Sequence, residues 1–295
     1  MESIIEIEKQ QRTSRKFEEV DRKLIQEGGY VSPDPHLWED VLIGIILQNP
    51  VLLKGPSGAG KTKLAQTVSD FFQQPMQSIN CSVDLDAEAL LGFKTIVRQN
   101  GEMMIDFVEG PVVQAMKKGH ILYIDEINMA RPETLPILHS VLDHRRMLTN
   151  PFTGEVIYAH DNFTVIAAIN EGYVGTSPMN EALKNRFVSY SVPYIAGEQL
   201  VQVIRQAHPS ASEKQISLFL QIANDLKNQV VNGLLSDEAA SIRSLLDALG
   251  LAAHMPVDRA IRYAIAEKLE DPIERDLVLE LVETWVPASR AEKTE

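Results

Sequence analysis

The sequence predicts an α/β sandwich on a mainly parallel sheet, followed by a smaller all-helical domain. Three observations predict it. Short apolar runs alternate with amphipathic segments between residues 50 and 192, several runs are apolar on both faces, and strand patterning disappears after Pro193. A length of 295 residues allows one large domain or two modest ones.

Residues 1–29 form a charge-dense N-terminal arm with both signs mixed, closed by Gly28-Gly29. It reads as a solvated extension, or as a helix that docks on a partner. Asp34-Pro35 looks like a helix cap with proline at the first helical position, and Leu37, Trp38, Val41, Leu42 and Ile45 follow at helical spacing. Strands are expected at 51–54, 78–81, 121–124, 163–169 and 188–192, with helices at 63–72, 111–118 and 133–145. Two hairpins interrupt the alternation. One turns at Gln99-Asn100-Gly101, where Asn-Gly is a strong hairpin signal, and the other at residues 150–154. Helical spacing then recurs at 198–207, 217–230, 238–251, 258–269 and 274–285, with Ser236 and Asp237 as expected caps. The predicted organisation is therefore an arm at 1–29, an α/β domain at 30–195 and a helical domain at 196–295.

Composition excludes several classes. Lys and Arg number 28 and Asp and Glu 41, a formal charge of −13 that argues against a general nucleic-acid binder. No apolar stretch approaches the ~20 residues that cross a bilayer, and the N-terminus lacks the pattern of a signal peptide. One cysteine, Cys81, permits no internal disulfide, so a cytoplasmic location is expected. Cys81, Trp38 and Trp285 read as core residues. His139 and His144 are poorly spaced for one helical face and do not read as metal ligands.

The chemistry lies in Gly55-Pro56-Ser57-Gly58-Ala59-Gly60-Lys61-Thr62, a complete GxxxxGK[ST] that follows an apolar strand and opens an amphipathic helix. Glycines let backbone N–H groups converge on phosphate oxygens. The helix N-terminus adds partial positive charge, Lys61 a full one, and Thr62 can ligate Mg²⁺. A second apolar strand ends in Asp125-Glu126, placing one acid to hold Mg²⁺ through water and another to polarise an attacking water. A third ends in Asn170, an amide suited to aligning that water against a γ-phosphate oxygen. Arg186, before the last strand, and Arg243, early in a helix of the helical domain, are candidates for neutralising charge on the transferred phosphoryl group.

In order and spacing these residues resemble the Walker A, Walker B, sensor 1, arginine finger and sensor 2 of AAA+ ATPases. The two hairpins are similar to the helix-2 insert and pre-sensor-1 hairpin of one AAA+ clade. Within it, Asp125-Glu126-Ile127-Asn128 and residues 139–146 are similar to the MoxR-type ATPases, in particular the CbbQ/NirQ/NorQ/GvpN group. The resemblance implies ATP as substrate, Mg²⁺ as cofactor and a ring-forming homo-oligomer of hexameric type. In such a ring Arg186 acts in trans and Arg243 in cis from the helical domain, which forms a lid, with Arg145 and Arg146 near the interface. It also implies chaperone-like remodelling of a metalloenzyme or other complex, with a von Willebrand factor A-domain partner. Two alternatives stand beside it: a nucleic-acid motor or restriction-type NTPase, and a nucleotide-switched assembly factor of the gas-vesicle type.

Overall fold

The computed structural model describes residues 3–81, 85–99, 102–170 and 179–286. The expected Asn100-Gly101 turn and the last nine residues assigned to the lid lie outside the described residues. Helices α1 (Ile4–Thr13), α2 (Glu19–Arg22) and α3 (Leu37–Ile46) precede β1 (Val51–Gly55) and α4 (Lys61–Phe72). Then come β2 (Met76–Asn80), α5 (Ala87–Leu91), the hairpin β3–β4 (Gly92–Gln99, Glu102–Glu109), α6 (Pro111–Lys118) and β5 (Ile121–Asp125). After α7 (Leu135–Val141) come the short hairpin β6–β7 (Met147–Thr149, Val156–Tyr158), β8 (Thr164–Asn170), α8 (Glu181–Lys184) and β9 (Val188–Ser191). The remainder is helical: α9 (Gly197–Ala207), α10 (Glu213–Val231), α11 (Ile242–Ala252), α12 (Val257–Ala264) and α13 (Pro272–Trp285).

The five long-range strands form one parallel sheet in the order β2-β5-β8-β1-β9. Alternate residues of these strands feed two separate cores, as the strand period of two requires. Leu53, Ile121, Tyr123, Ile166 and Ala168 face α3 and α4, with Leu64, Val68 and Phe72 packed on them. Leu52, Leu122, Ile124, Val165 and Ala167 face α6 and α7, over Val112, Met116 and Leu138. A third cluster, from Ile195 to Trp285, belongs to the helical segment alone, and within it the Trp285 indole donates to Asp225 at 2.7 Å.

The N-terminal arm departs from the expectation of a solvated extension. Arg12 is 3% exposed and donates to Glu8 at 2.7 Å and to the Gln74 amide oxygen at 2.9 Å, with its guanidinium over the Phe72 ring. Arg15 donates to the carbonyls of Lys118 and Gly119, and buried Asp21 takes both carboxylate contacts of Lys118 at 2.9 and 3.0 Å. Opposite Asp21, burial pushes the His120 imidazole down to about 4, against the edge of Phe17. Charged side chains hold the arm to the end of the sheet, together with Ile5 on the core beneath α3 and α4 and the Leu24 carbonyl, which accepts from the Met76 N–H at 3.0 Å. Because Arg12 satisfies a Gln74 that is itself 1% exposed, Arg12→Ala is expected to cost about 2–3 kcal/mol in urea unfolding. A loss below about 0.5 kcal/mol would show that the arm is held elsewhere.

Several further boundaries moved. Helix α3 starts at Leu37 with His36 as its N-cap, so Pro35 is not its first residue. The helix expected at 217–230 starts at Glu213, and the one expected at 258–269 ends at Ala264. The helix expected over 133–145 is only α7, because Asp143 accepts from the Arg145 N–H at 3.0 Å and Arg146 turns left-handed at φ 51°, which closes the helix early. Ser236 and Asp237 do not cap the third expected helix of the lid. It starts at Ile242 after Ser241, while the Ser236 hydroxyl donates to Glu274 at 2.6 Å.

Candidate functional site

Parallel strands share polarity, so every carboxyl end lies on one edge of the sheet, where α/β proteins bind ligands. The register aligns that edge: Asn80 opposite Asp125, Ile124 opposite Ala167, and Gly55 opposite Asn170. Since β8 lies between β1 and β5, Asn170 stands between the glycine-rich loop and the paired acids.

The loop from Gly55 to Thr62 leaves β1 and enters α4 at Lys61. Gly58 and Gly60 adopt φ of 75° and 93°, a region that side-chain-bearing residues rarely occupy. Gly58 also abuts Ser241 at the start of α11, so the loop and the helical segment meet directly. Lys61 is 6% exposed, and its ammonium donates to the Gly55 and Pro56 carbonyls at 2.9 and 2.7 Å. The Thr62 hydroxyl is 3.0 Å from that of Tyr123.

Asp125 ends β5 and accepts from the Glu126 N–H at 3.1 Å. Burial pushes its carboxyl above the usual carboxylate range and the neighbouring Glu126 charge adds to this, while the Glu126 N–H, Lys61 and Tyr123 oppose it. Glu126 holds φ of 51°, an uncommon left-handed conformation for a glutamate. Its carboxylate accepts from the Asn170 amide at 3.4 Å, at the long end of hydrogen bonding.

These groups line one cleft of about 890 Å³ that contains Ser57–Lys63, Asp125, Glu126, Asn170 and Arg243. Arg243, in the first turn of α11, is exposed toward it. Arg186 does not line it. It precedes β9, whose Val188 pairs with Val51 at the amino end of β1, so Arg186 sits a strand length, about 13 Å, from the loop side of the sheet. There its guanidinium donates to the Ala182 carbonyl at 2.6 Å. Arg146 is engaged with the His160 and Phe163 carbonyls at 2.9 and 3.0 Å, and Arg145 with Asp143 at 2.9 Å.

Sequence reasoning missed three contributors. Asn80 ends β2 beside Asp125 and lines the cleft; β2 is Met76-Gln77-Ser78-Ile79-Asn80, so no apolar run marks its end in the sequence. Residues 27–31 of the arm and its junction line the cleft from the other side, with Tyr30 against Gly60. Tyr194 donates to the Asp237 carbonyl at 2.9 Å and lies 3.4 Å from that of Ser57, tying the loop to the helical segment.

The donor set suits a nucleoside triphosphate with Mg²⁺: a helix N-terminus and glycine cradle for phosphates, a buried ammonium, a hydroxyl and two acids. A glycine-rich loop and a pair of acids separated by one extra parallel strand define a P-loop nucleoside triphosphatase. Residues 50–187 match the AAA domain of the dynein-related subfamily. The chain is 57% identical to the protein YojN of Bacillus subtilis (strain 168) over 263 residues, 89% of this chain and 86% of that one. A Staphylococcus aureus (strain USA300) protein is 54% identical over 255 residues, 86% of this chain and 97% of the relative. The fold is also similar to NtrX from Brucella abortus in complex with ATP, at 17% identity and a TM-score of 0.47, over 79% of this chain and 54% of that one. Among the described residues no helix is long and apolar enough to cross a membrane.

Proposed function

We propose that this ATPase works as a ring, most simply a hexamer, in which each nucleotide site is shared between subunits and hydrolysis remodels a bound protein complex. The observation that carries this reading is the separation of the two arginines. Arg243 lines its own cleft, whereas Arg186 stands at the far end of the sheet, where it can serve only a neighbour's nucleotide. Residues 30–195 are assigned to the nucleotide-binding domain, 196–295 to the lid and 1–29 to the arm, which here is a strap ending at the cleft.

In this reading Gly55–Thr62 hold the phosphates, with Lys61 as their buried cation. Thr62 directly and Asp125 through water hold Mg²⁺, which supplies charge neutralisation on the β- and γ-oxygens when bound. Glu126 polarises the attacking water, Asn170 aligns it, Arg243 closes from the lid, and Arg186 completes the next subunit's site.

Resemblance to the MoxR-type ATPases supports a chaperone-like role on a metalloenzyme or similar client, together with a von Willebrand factor A-domain partner. The β3–β4 hairpin favours a protein over a nucleic-acid client. Ile96 and Ile105 pair across it with Met103 on the same face, at 70%, 74% and 76% exposure, and such an apolar, methionine-bearing ribbon suits adaptable protein contacts. The test is specific ATPase activity against protein concentration. It is expected to rise steeply through the assembly range, and Arg186→Ala is expected to lower the plateau at least about 100-fold without loss of ATP binding. A specific activity independent of concentration, with Arg186→Ala fully active, would overturn the shared site.

A further inference from the structure

Residues two apart on a strand share a face, so Tyr123 and Asp125 of β5 project to the same side, toward α4. Tyr123 is 2% exposed, its ring packed in the core beneath α3 and α4. Its hydroxyl is 3.0 Å from the Thr62 hydroxyl, and burial together with the nearby Asp125 charge keeps the phenol protonated. The phenolic proton is drawn toward that negative charge, which leaves the phenolic oxygen to accept from Thr62. The lone pairs of Thr62 Oγ1 are then available to face the cleft. Phenylalanine would fill the same core volume and provide no bond to Thr62.

We propose that Tyr123 is a positioning residue for the metal side of the site, orienting the Thr62 hydroxyl, beside the Asp125 carboxylate, toward a divalent cation. The proposal rests on the reading of Thr62 and Asp125 as the Mg²⁺-side groups. The Tyr123 hydroxyl therefore acts on cation affinity and leaves metal-free nucleotide affinity alone.

The experiment is equilibrium binding of a fluorescent, non-hydrolysable ATP analogue to the full chain, titrated with Mg²⁺ and repeated in EDTA. For Tyr123→Phe the Mg²⁺ concentration at half-saturation is expected to rise about five- to tenfold, the value of one hydrogen bond between neutral groups. Affinity in EDTA is expected to stay within about twofold, and the thermal midpoint within about 4 °C. Tyr123→Met, whose flexible side chain fills similar space, is the second hydroxyl-free variant and is expected to behave alike. An unchanged Mg²⁺ midpoint in either folded variant overturns the proposal. So does an equal loss of affinity with and without Mg²⁺, the signature of a packing defect. Asp125→Asn, measured in parallel, separates the two levels. If it shifts the Mg²⁺ midpoint while Tyr123→Phe does not, the Tyr123 proposal alone falls. If Asp125→Asn also leaves the midpoint in place, the metal-side reading falls with it.

Discussion

Lys61→Ala is expected to weaken ATP binding about 10- to 100-fold and to lower kcat/KM by at least about 1,000-fold. The lysine is almost fully buried, and its ammonium donates to two loop carbonyls, those of Gly55 and Pro56. An ammonium so placed is already desolvated and needs only a change of acceptor to meet a phosphate oxygen. A hydrogen bond to a charged group contributes about 1.5–3 kcal/mol, which sets the loss in binding. The larger loss in kcat/KM arises because charge builds on the phosphoryl oxygens in the transition state, where preorganised cations matter most. Isothermal titration with ATP and steady-state phosphate release check the two parts separately. Lys61→Met, which fills the same channel without charge, is expected to behave as the alanine variant does. Near-normal hydrolysis in either variant would remove the glycine-rich loop from the chemistry.

Glu126→Gln is expected to separate binding from turnover: ATP affinity within about threefold of the parent, and kcat lower by about 10²–10⁴. The amide is isosteric and keeps a group beside Asn170, but it cannot polarise water as a carboxylate does. Electrostatics also protects binding. The Glu126 charge contributes to holding the Asp125 carboxyl above its usual range, so its removal relieves a like-charge contact at a site that must receive an anion. The variant is therefore expected to retain ATP and to serve as a trap for bound proteins. Rapid chemical quench on the preloaded variant measures the hydrolytic step directly. Unimpaired turnover would reassign the base.

Much of this site was legible in the sequence because its parts are local. β1, β5 and β8 are runs of buried aliphatics ended by functional residues, so Gly55, Asp125 and Asn170 mark their own strand ends. What was not legible depends on contacts between distant segments. The interposition of β8 between β1 and β5 is decided by packing on both sheet faces, and no run of residues encodes a neighbour. The arm was misjudged because its anchors are Arg12, Arg15 and Asp21. Charged residues are solvated by default, and partners distant in sequence, the Gln74 amide oxygen for Arg12, the carbonyls at the end of α6 for Arg15 and the Lys118 ammonium for Asp21, make their burial favourable. The start of α11 was misplaced for a related reason. Ser236, Asp237 and Ser241 have equivalent capping chemistry, and tertiary contacts of Ser236 with Glu274 and of Ser241 with Gly58 choose among them. Tyr123 was hidden inside an apolar run, where its ring fits the pattern and its hydroxyl leaves no trace.

The central claim is a nucleotide site completed by a neighbouring subunit, and mixing two inactive variants tests it most directly. Arg186→Ala subunits keep their own Glu126, and Glu126→Gln subunits keep Arg186. A mixed ring therefore contains interfaces at which both groups are present. The account predicts that phosphate release reappears on mixing and peaks near equal proportions. It also predicts that no recovery occurs when both substitutions are placed in one chain and mixed with either single variant. Rings shown to be well mixed by exchange of labelled subunits, yet as inactive as the separate variants, would contradict it.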